Sequence, residues 1–364
     1  MDMKMEQKVL LHNIRLISRG FPIEFADGDA ETLYDVLTEH QCLYLINCIK
    51  PESRVKFMPH RAVLVHNKAS IKERYARCER IFRALDDSHI TYAVYKGAVL
   101  STAAYEEPFY RASSDIDLFV RKVDVQMVKS MFSSFGFVQG RVSHYGTIVP
   151  YSREELIFHS SKTHQLAPFI YKTDSSVCPY INIDINFNVM WGESDTPSDM
   201  DYILENVEES DIYGVKINKL SPVIDFIAVC LHHYKDANSL YLLYNGSLKL
   251  YLYSDIYYYL KNNAYQVTPD DLYRECEALH VTPFVYHCVY YAYTIFNDDI
   301  LLPYLEILES SEGMYLLDKF GLNEKERKKW DSSLTDRLFS DLDFTKYLDE
   351  NDIEKIKMNV NMMG

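Results

Sequence analysis

The chain has 364 residues, 48% of them hydrophobic and 25% charged, an ordinary globular composition long enough for two or three units that bury their cores without a staple. Its 53 Asp and Glu against 38 Lys and Arg give a formal charge of −15, which repels a phosphate backbone and disfavours a general nucleic-acid binder. The seven scattered cysteines include no C-x-x-C pair, so buried thiols are expected rather than zinc or redox chemistry. The N-terminal residues carry both signs of charge and no apolar h-region, and apolar stretches such as 223–231 fall short of the roughly 20 residues needed to cross a bilayer. A cytoplasmic protein with no membrane contact is expected.

In chain order, Leu33, Val36, Leu37, Leu43 and Leu45 follow helical spacing, and Pro51 and Pro59 punctuate the first 90 residues into three helices, the last over 62–85. On that last helix Glu73, Arg74, Arg77, Glu79, Arg80 and Arg83 alternate in sign and read as a solvated face. From 91 to 219 the period changes to two. Strands are expected over 91–95, 115–120 and 181–187, helices over 98–105 and 124–135, and β-like pieces at 145–151 and 156–160. After Pro222 helical spacing returns over 223–234, 240–260 and 269–279. The organisation is a helical region over 1–90, an α+β core over 91–219 and a helical domain over 220–364.

The chemistry lies in the core. Asp115 and Asp117 stand at i and i+2 of one strand and project from one face, while Ile116 and Leu118 take the other. Neighbouring carboxylates repel unless a proton or cation lies between them, and hard oxygen ligands at this spacing suit Mg²⁺ completed by water and phosphate. A solvated acidic strand face would carry the same pair. Lys96 and Gly97 occupy a strand-to-helix turn, where helix N–H groups face an anion, Gly97 admits a phosphate close to the backbone, and Lys96 can neutralise a β- or γ-phosphate. Arg111 offers a planar fork for phosphate. Asp184, the acid on the polar side of the 181–187 alternation, suits a third metal ligand or a general base for an acceptor hydroxyl. Three carboxylates beside a phosphate-facing turn are the parts of a two-metal phosphoryl-transfer site. His159, Lys162 and His164, near a strand end, fit a polar loop as well as substrate binding but not a hard-metal site, and the tyrosines from Tyr251 to Tyr259 read as core packing.

Lys96-Gly97-Ala98-x-Leu100, Tyr105, Arg111 and Ser114-Asp115-Ile116-Asp117-Leu118-x-Val120 resemble the polymerase-β-type nucleotidyltransferase superfamily. More narrowly, they are similar to the uncharacterised bacterial nucleotidyltransferase-like family that accompanies peptide natural-product and polysaccharide gene clusters, over about residues 62–260. The resemblance implies an α+β nucleotidyltransferase core, a small twisted mixed sheet with flanking helices, between N- and C-terminal helical regions. It also implies nucleotide contacts from Lys96, Gly97, Arg111 and Ser114, metal binding and catalysis at Asp115, Asp117 and Asp184, and substrate contacts from His232 and Asp255. Two positions depart from the pattern. Ala98 replaces the usual Ser or Gly of the turn, so phosphate binding leans on backbone N–H groups, Lys96 and Arg111. Asp184 is followed by Ile185 and Asn186 rather than by the family's acid-x-His, which leaves no His-dependent role there.

The expected function is Mg²⁺-dependent (or Mn²⁺-dependent) transfer of NMP from an NTP, ATP first among the candidates, to a small-molecule, sugar or peptide acceptor with release of pyrophosphate. Two rivals differ in class. A tRNA-modifying nucleotidyltransferase toxin would carry a basic groove, against which the −15 charge argues. A non-catalytic nucleotide-binding module of the same fold is compatible with the lost turn hydroxyl.

Overall fold

The computed structural model describes residues 5–21, 29–48, 58–192, 194–246, 248–339 and 343–363. The chain divides into two compact units, His66–His232 with Ile353–Gly364, and Met1–Val65 with His233–Asp352. The expected N-terminal helices are α1 (Met5–Ser18), α2 (Asp29–Glu39) and the long α3 (Met58–Asp87).

The sheet-bearing unit follows as β1 (Tyr92–Tyr95), α4 (Gly97–Tyr105), β2 (Asp115–Val120), α5 (Val125–Ser134), β3 (Val138–Val142), β4 (Ile148–Pro150), α6 (Arg153–Lys162), β5 (Phe169–Lys172), β6 (Tyr180–Asn186), β7 (Val207–Ile212) and β8 (Val215–Leu220). Its strands form one mixed sheet in the order β4-β3-β5-β6-β2-β1-β8-β7, in which β2 is antiparallel to β1 and parallel to β6. Ile116, Leu118 and Val120 of β2 and Ile181, Ile183 and Ile185 of β6 share a core with Ile71, Tyr75, Cys78 and Phe82 of α3 and with Val128 and Phe132 of α5. That apolar set uses one parity of both strands, so Asp115, Asp117, Asn182 and Asp184 take the opposite face. Burial contributes about 1.5–3 kcal/mol per large apolar side chain. A one-residue slip exposing six of them would cost about as much as the whole net stability of a domain. The core therefore fixes where the acids stand.

Two expectations are corrected. Residues 156–160 belong to α6, not to a strand, because Ser152 and Glu155 close a capping box at its start. The helix expected over 240–260 is broken into Leu240–Tyr244 and Tyr251–Asn263, with Gly246 in the left-handed region after Asn245.

In the other unit, α7 (Pro222–Asn238) contributes its last turn, followed by α8 (Tyr251–Asn263), α9 (Pro269–Ala278) and α10 (Thr282–Phe296). Arg15 of α1 donates from Nε and Nη2 to the carbonyls of Ile295 and Thr294 at 2.7 and 2.8 Å, satisfying last-turn carbonyls of α10. Lys261 Nζ donates to the Ser18 carbonyl at 2.7 Å, tying α8 to α1. Tyr253, Tyr257, Tyr258 and Tyr259 are buried, and Tyr257 stacks on Phe296 at 4.3 Å, so this tyrosine run is core. Six cysteines are free and buried, and the side chain of Cys48 lies outside the described residues. Among the described residues no helix is long and apolar enough to cross a membrane.

Candidate active site

The site is built where β1 turns into α4. Lys96 and Gly97 both take a left-handed φ, 56° and 46°. A Cβ added at Gly97 would also stand 2.9 Å from Ser113 Oγ, so both the turn and the neighbour call for glycine. Lys96 has no such freedom, and its backbone (φ 56°, ψ −153°) stores about 1–3 kcal/mol of strain. Its side chain does not cap α4, which leaves first-turn N–H groups available to an anion.

Parallel pairing sets Asp117 of β2 opposite Asp184 of β6 and Asp115 opposite Asn182. Asp115 and Asp117 share a face at i and i+2, and Asp184 joins them from the next strand, about 4.8 Å away along the hydrogen-bonding direction. Lys96 Nζ lies 2.9 Å from Asp117 Oδ1, and the two side chains are only 13% and 5% exposed. The same Nζ is 3.5 Å from His232 Nε2. Burial opposes the charge on Lys96, but Asp117, Tyr95 and Asp115 outweigh it and hold its pKa above the ordinary lysine value. Burial pushes the Tyr95 phenol up; Lys96 opposes that, while Asp117 and Asp184 add to it.

The solvated face expected on α3 is corrected at Arg74, which is 4% exposed. Its Nη1 donates to the Ser113 carbonyl at 2.8 Å and its Nη2 to Ser70 Oγ at 3.4 Å, and among the described residues no carboxylate forms an ion pair with it. Ser113 Oγ in turn donates to the Asp115 carbonyl at 3.0 Å and stands against Gly97. Arg74 and Ser113 thus tie α3, the turn and the acidic strand together. The signal was present: Arg74 falls between Ile71, Tyr75 and Cys78 on the apolar stripe of its helix. Ser114, expected at the nucleotide, is exposed, and Arg111 is half-buried. The Arg111 backbone N–H donates to Ser101 Oγ at 3.0 Å, and Ser101 Oγ donates to the Glu107 carbonyl at 2.6 Å, pinning the intervening loop to α4.

Of the two expected substrate residues, His232 stands beside Lys96. Asp255 belongs to the helical unit, where it is fully buried 2.9 Å from His233 Nε2. His159 and Lys162 lie on α6 rather than in a polar loop. His159 is buried, neither ring nitrogen finds a hydrogen-bond partner among the described residues, and burial holds its pKa below the ordinary value against the opposing charge of Glu155.

Carboxylate donors on one face fit a hard divalent cation in their chemistry. In this arrangement the Lys96 ammonium engages Asp117, and among the described residues no three His, Cys, Asp or Glu side chains converge closely enough to hold a metal.

The chain belongs to the uncharacterised nucleotidyltransferase family, whose profile matches residues 27–297. Among solved structures, it is similar to an antigenic nucleotidyltransferase-like protein from Paracoccidioides brasiliensis, at 16% identity and a TM-score of 0.28, over 53% of this chain and 77% of that one. No curated protein matches.

Proposed function

We propose that the chain transfers NMP from an NTP, ATP first among the candidates, to a hydroxyl or phosphate of a small-molecule, sugar or peptide acceptor, releasing pyrophosphate. The observation that carries this reading is the adjacency of Asp115, Asp117 and Asp184 on one sheet face, in a chain of a nucleotidyltransferase family. With the Lys96 ammonium displaced from Asp117, these acids would hold Mg²⁺ or Mn²⁺, which would supply charge neutralisation at the transferred phosphoryl group. The first-turn N–H groups of α4, with Lys96 and Arg111, bind and orient the triphosphate. Ser113 and Arg74 keep that turn in register with the acids. Asp184 takes the proton of the acceptor hydroxyl as its oxygen bonds to the α-phosphorus and the bond to pyrophosphate breaks. Rate comes from positioning and from fixed charge rather than from a covalent intermediate. The −15 charge favours a small acceptor over a nucleic acid.

The ion pair between Lys96 and Asp117 favours a second reading, a module that binds nucleotide without turnover. One assay separates the two. Each α-labelled NTP is incubated with Mg²⁺ and pooled sugars, peptides, small metabolites or tRNA, and both label transfer and pyrophosphate are followed. Transfer lost in Asp115→Asn supports the enzyme. Saturable nucleotide binding with no pyrophosphate supports the module, and labelled tRNA dependent on Asp115 replaces the small acceptor by the tRNA-modifying alternative.

A further inference from the structure

Lys96 occupies an unusual position. Its backbone is held in a conformation that lysine disfavours, at the N-terminus of α4 where a triphosphate would lie, yet its ammonium is turned to Asp117 at 2.9 Å in a nearly dry pair. The ammonium is flanked on its other side by His232 Nε2 at 3.5 Å. An ammonium this close to Oδ1 takes lone pairs that a divalent cation would need, and both cannot use that oxygen at once. A phosphate at the helix N-terminus offers Lys96 a second anion within reach of the same flexible four-carbon stem.

We propose that Lys96 is an exchangeable counter-ion: it neutralises Asp117 while the site is empty, and moves to the triphosphate when nucleotide arrives, freeing Asp117 for the metal. This deepens the nucleotidyltransferase reading and rests on it. Two consequences follow from linkage. The nucleotide-free protein binds metal weakly, because the metal must displace Lys96. Nucleotide and metal help one another through a residue that engages Asp117 and the triphosphate in turn.

Removing the ammonium should therefore move two affinities in opposite directions. In Lys96→Met, Mn²⁺ binding to the nucleotide-free protein, followed by electron paramagnetic resonance, tightens by about tenfold, the size of an ordinary coupling between ligands. Binding of a non-hydrolysable ATP analogue in EDTA weakens by about tenfold or more. The reciprocal variant Asp117→Asn, which does not depend on how Lys96→Met folds, binds the analogue in EDTA more tightly than wild type and loses Mn²⁺ binding. The gain in Mn²⁺ affinity disappears in the double variant. A fixed phosphate ligand would lower analogue affinity and leave Mn²⁺ unchanged, and general damage would lower both; either result overturns the exchange while the nucleotidyltransferase reading stands. Wild-type protein binding neither Mn²⁺ nor the analogue saturably would remove that reading as well.

Discussion

Asp115 and Asp117 are alternate residues of one strand, yet their substitutions should not be equivalent. Asp117 is buried against Lys96, so Asp117→Asn leaves a buried ammonium without its counter-charge, and breaking such a pair costs about 3 kcal/mol. Asp115 is half-buried with Asp117 two residues on, so Asp115→Asn relieves repulsion and should leave stability level or slightly higher. Urea unfolding of both variants in metal-free buffer measures the difference, and equal losses would remove the asymmetry. Arg74 makes a separate prediction, because it holds the Ser113 carbonyl from inside the core. Arg74→Met should cost about 1–3 kcal/mol for the orphaned carbonyl and weaken nucleotide binding through the Gly97 turn. Arg74→Lys should recover only part, because an ammonium cannot reproduce the fork. Wild-type affinity in a folded Arg74→Met protein would confine the residue to packing.

At the level of elements, α6 tests how local chemistry overrides pattern. Ser152 N–H donates to Glu155 Oε2 at 2.6 Å and Glu155 N–H to Ser152 Oγ at 3.2 Å. The Ser152 backbone bond and Arg141 draw the Glu155 carboxyl down to about 2. Ser152→Ala should cost about 1 kcal/mol and raise amide exchange in the first turn of α6, and unchanged exchange would show the cap to be idle. Ser152 and Glu155 were visible in the sequence as S-x-x-E, but Leu156, Ile157 and Phe158 after them read as strand, and the cap decides the matter. By contrast, β2 and β6 were legible because one buried face imposes strict alternation. Lys96, Gly97 and the three acids were legible as types at spacings. The pairing of Asp117 with Asp184 and of Lys96 with Asp117 was not, because it depends on which strands become neighbours and in which direction. Arg74 was misread for a related reason: its charge matched the helix surface while its position matched the core stripe.

The molecule as a whole carries a pH dependence in its helical unit. Burial, helped by Lys249, lowers His40 to about 4, and burial, helped by Arg337, lowers His287 to about 3, each from an ordinary 6.5. Between 6.5 and those values the unfolded chain binds protons that the folded chain refuses, so stability rises with pH across the window. It is complete above 6.5 and is lost on acidification by up to about 1.4 kcal/mol per pH unit for each histidine. Urea midpoints at pH 7.5 and 5 should differ accordingly, with His287→Leu flattening the slope; identical midpoints would show that neither histidine resists protonation. The same unit is assembled from two separate segments, Met1–Val65 and His233–Asp352, with the sheet-bearing segment His66–His232 between them in sequence. During synthesis the eight-stranded sheet has left the ribosome while α1 still lacks α8 and α10, to which its Ser18 and Arg15 are bound. At about 5–20 residues per second that wait lasts on the order of ten seconds. For its duration Arg15 and Ser18 lack their partners while α1 has native contacts from residues 43–48 of its own segment, so its full resistance to proteases waits on α8 and α10.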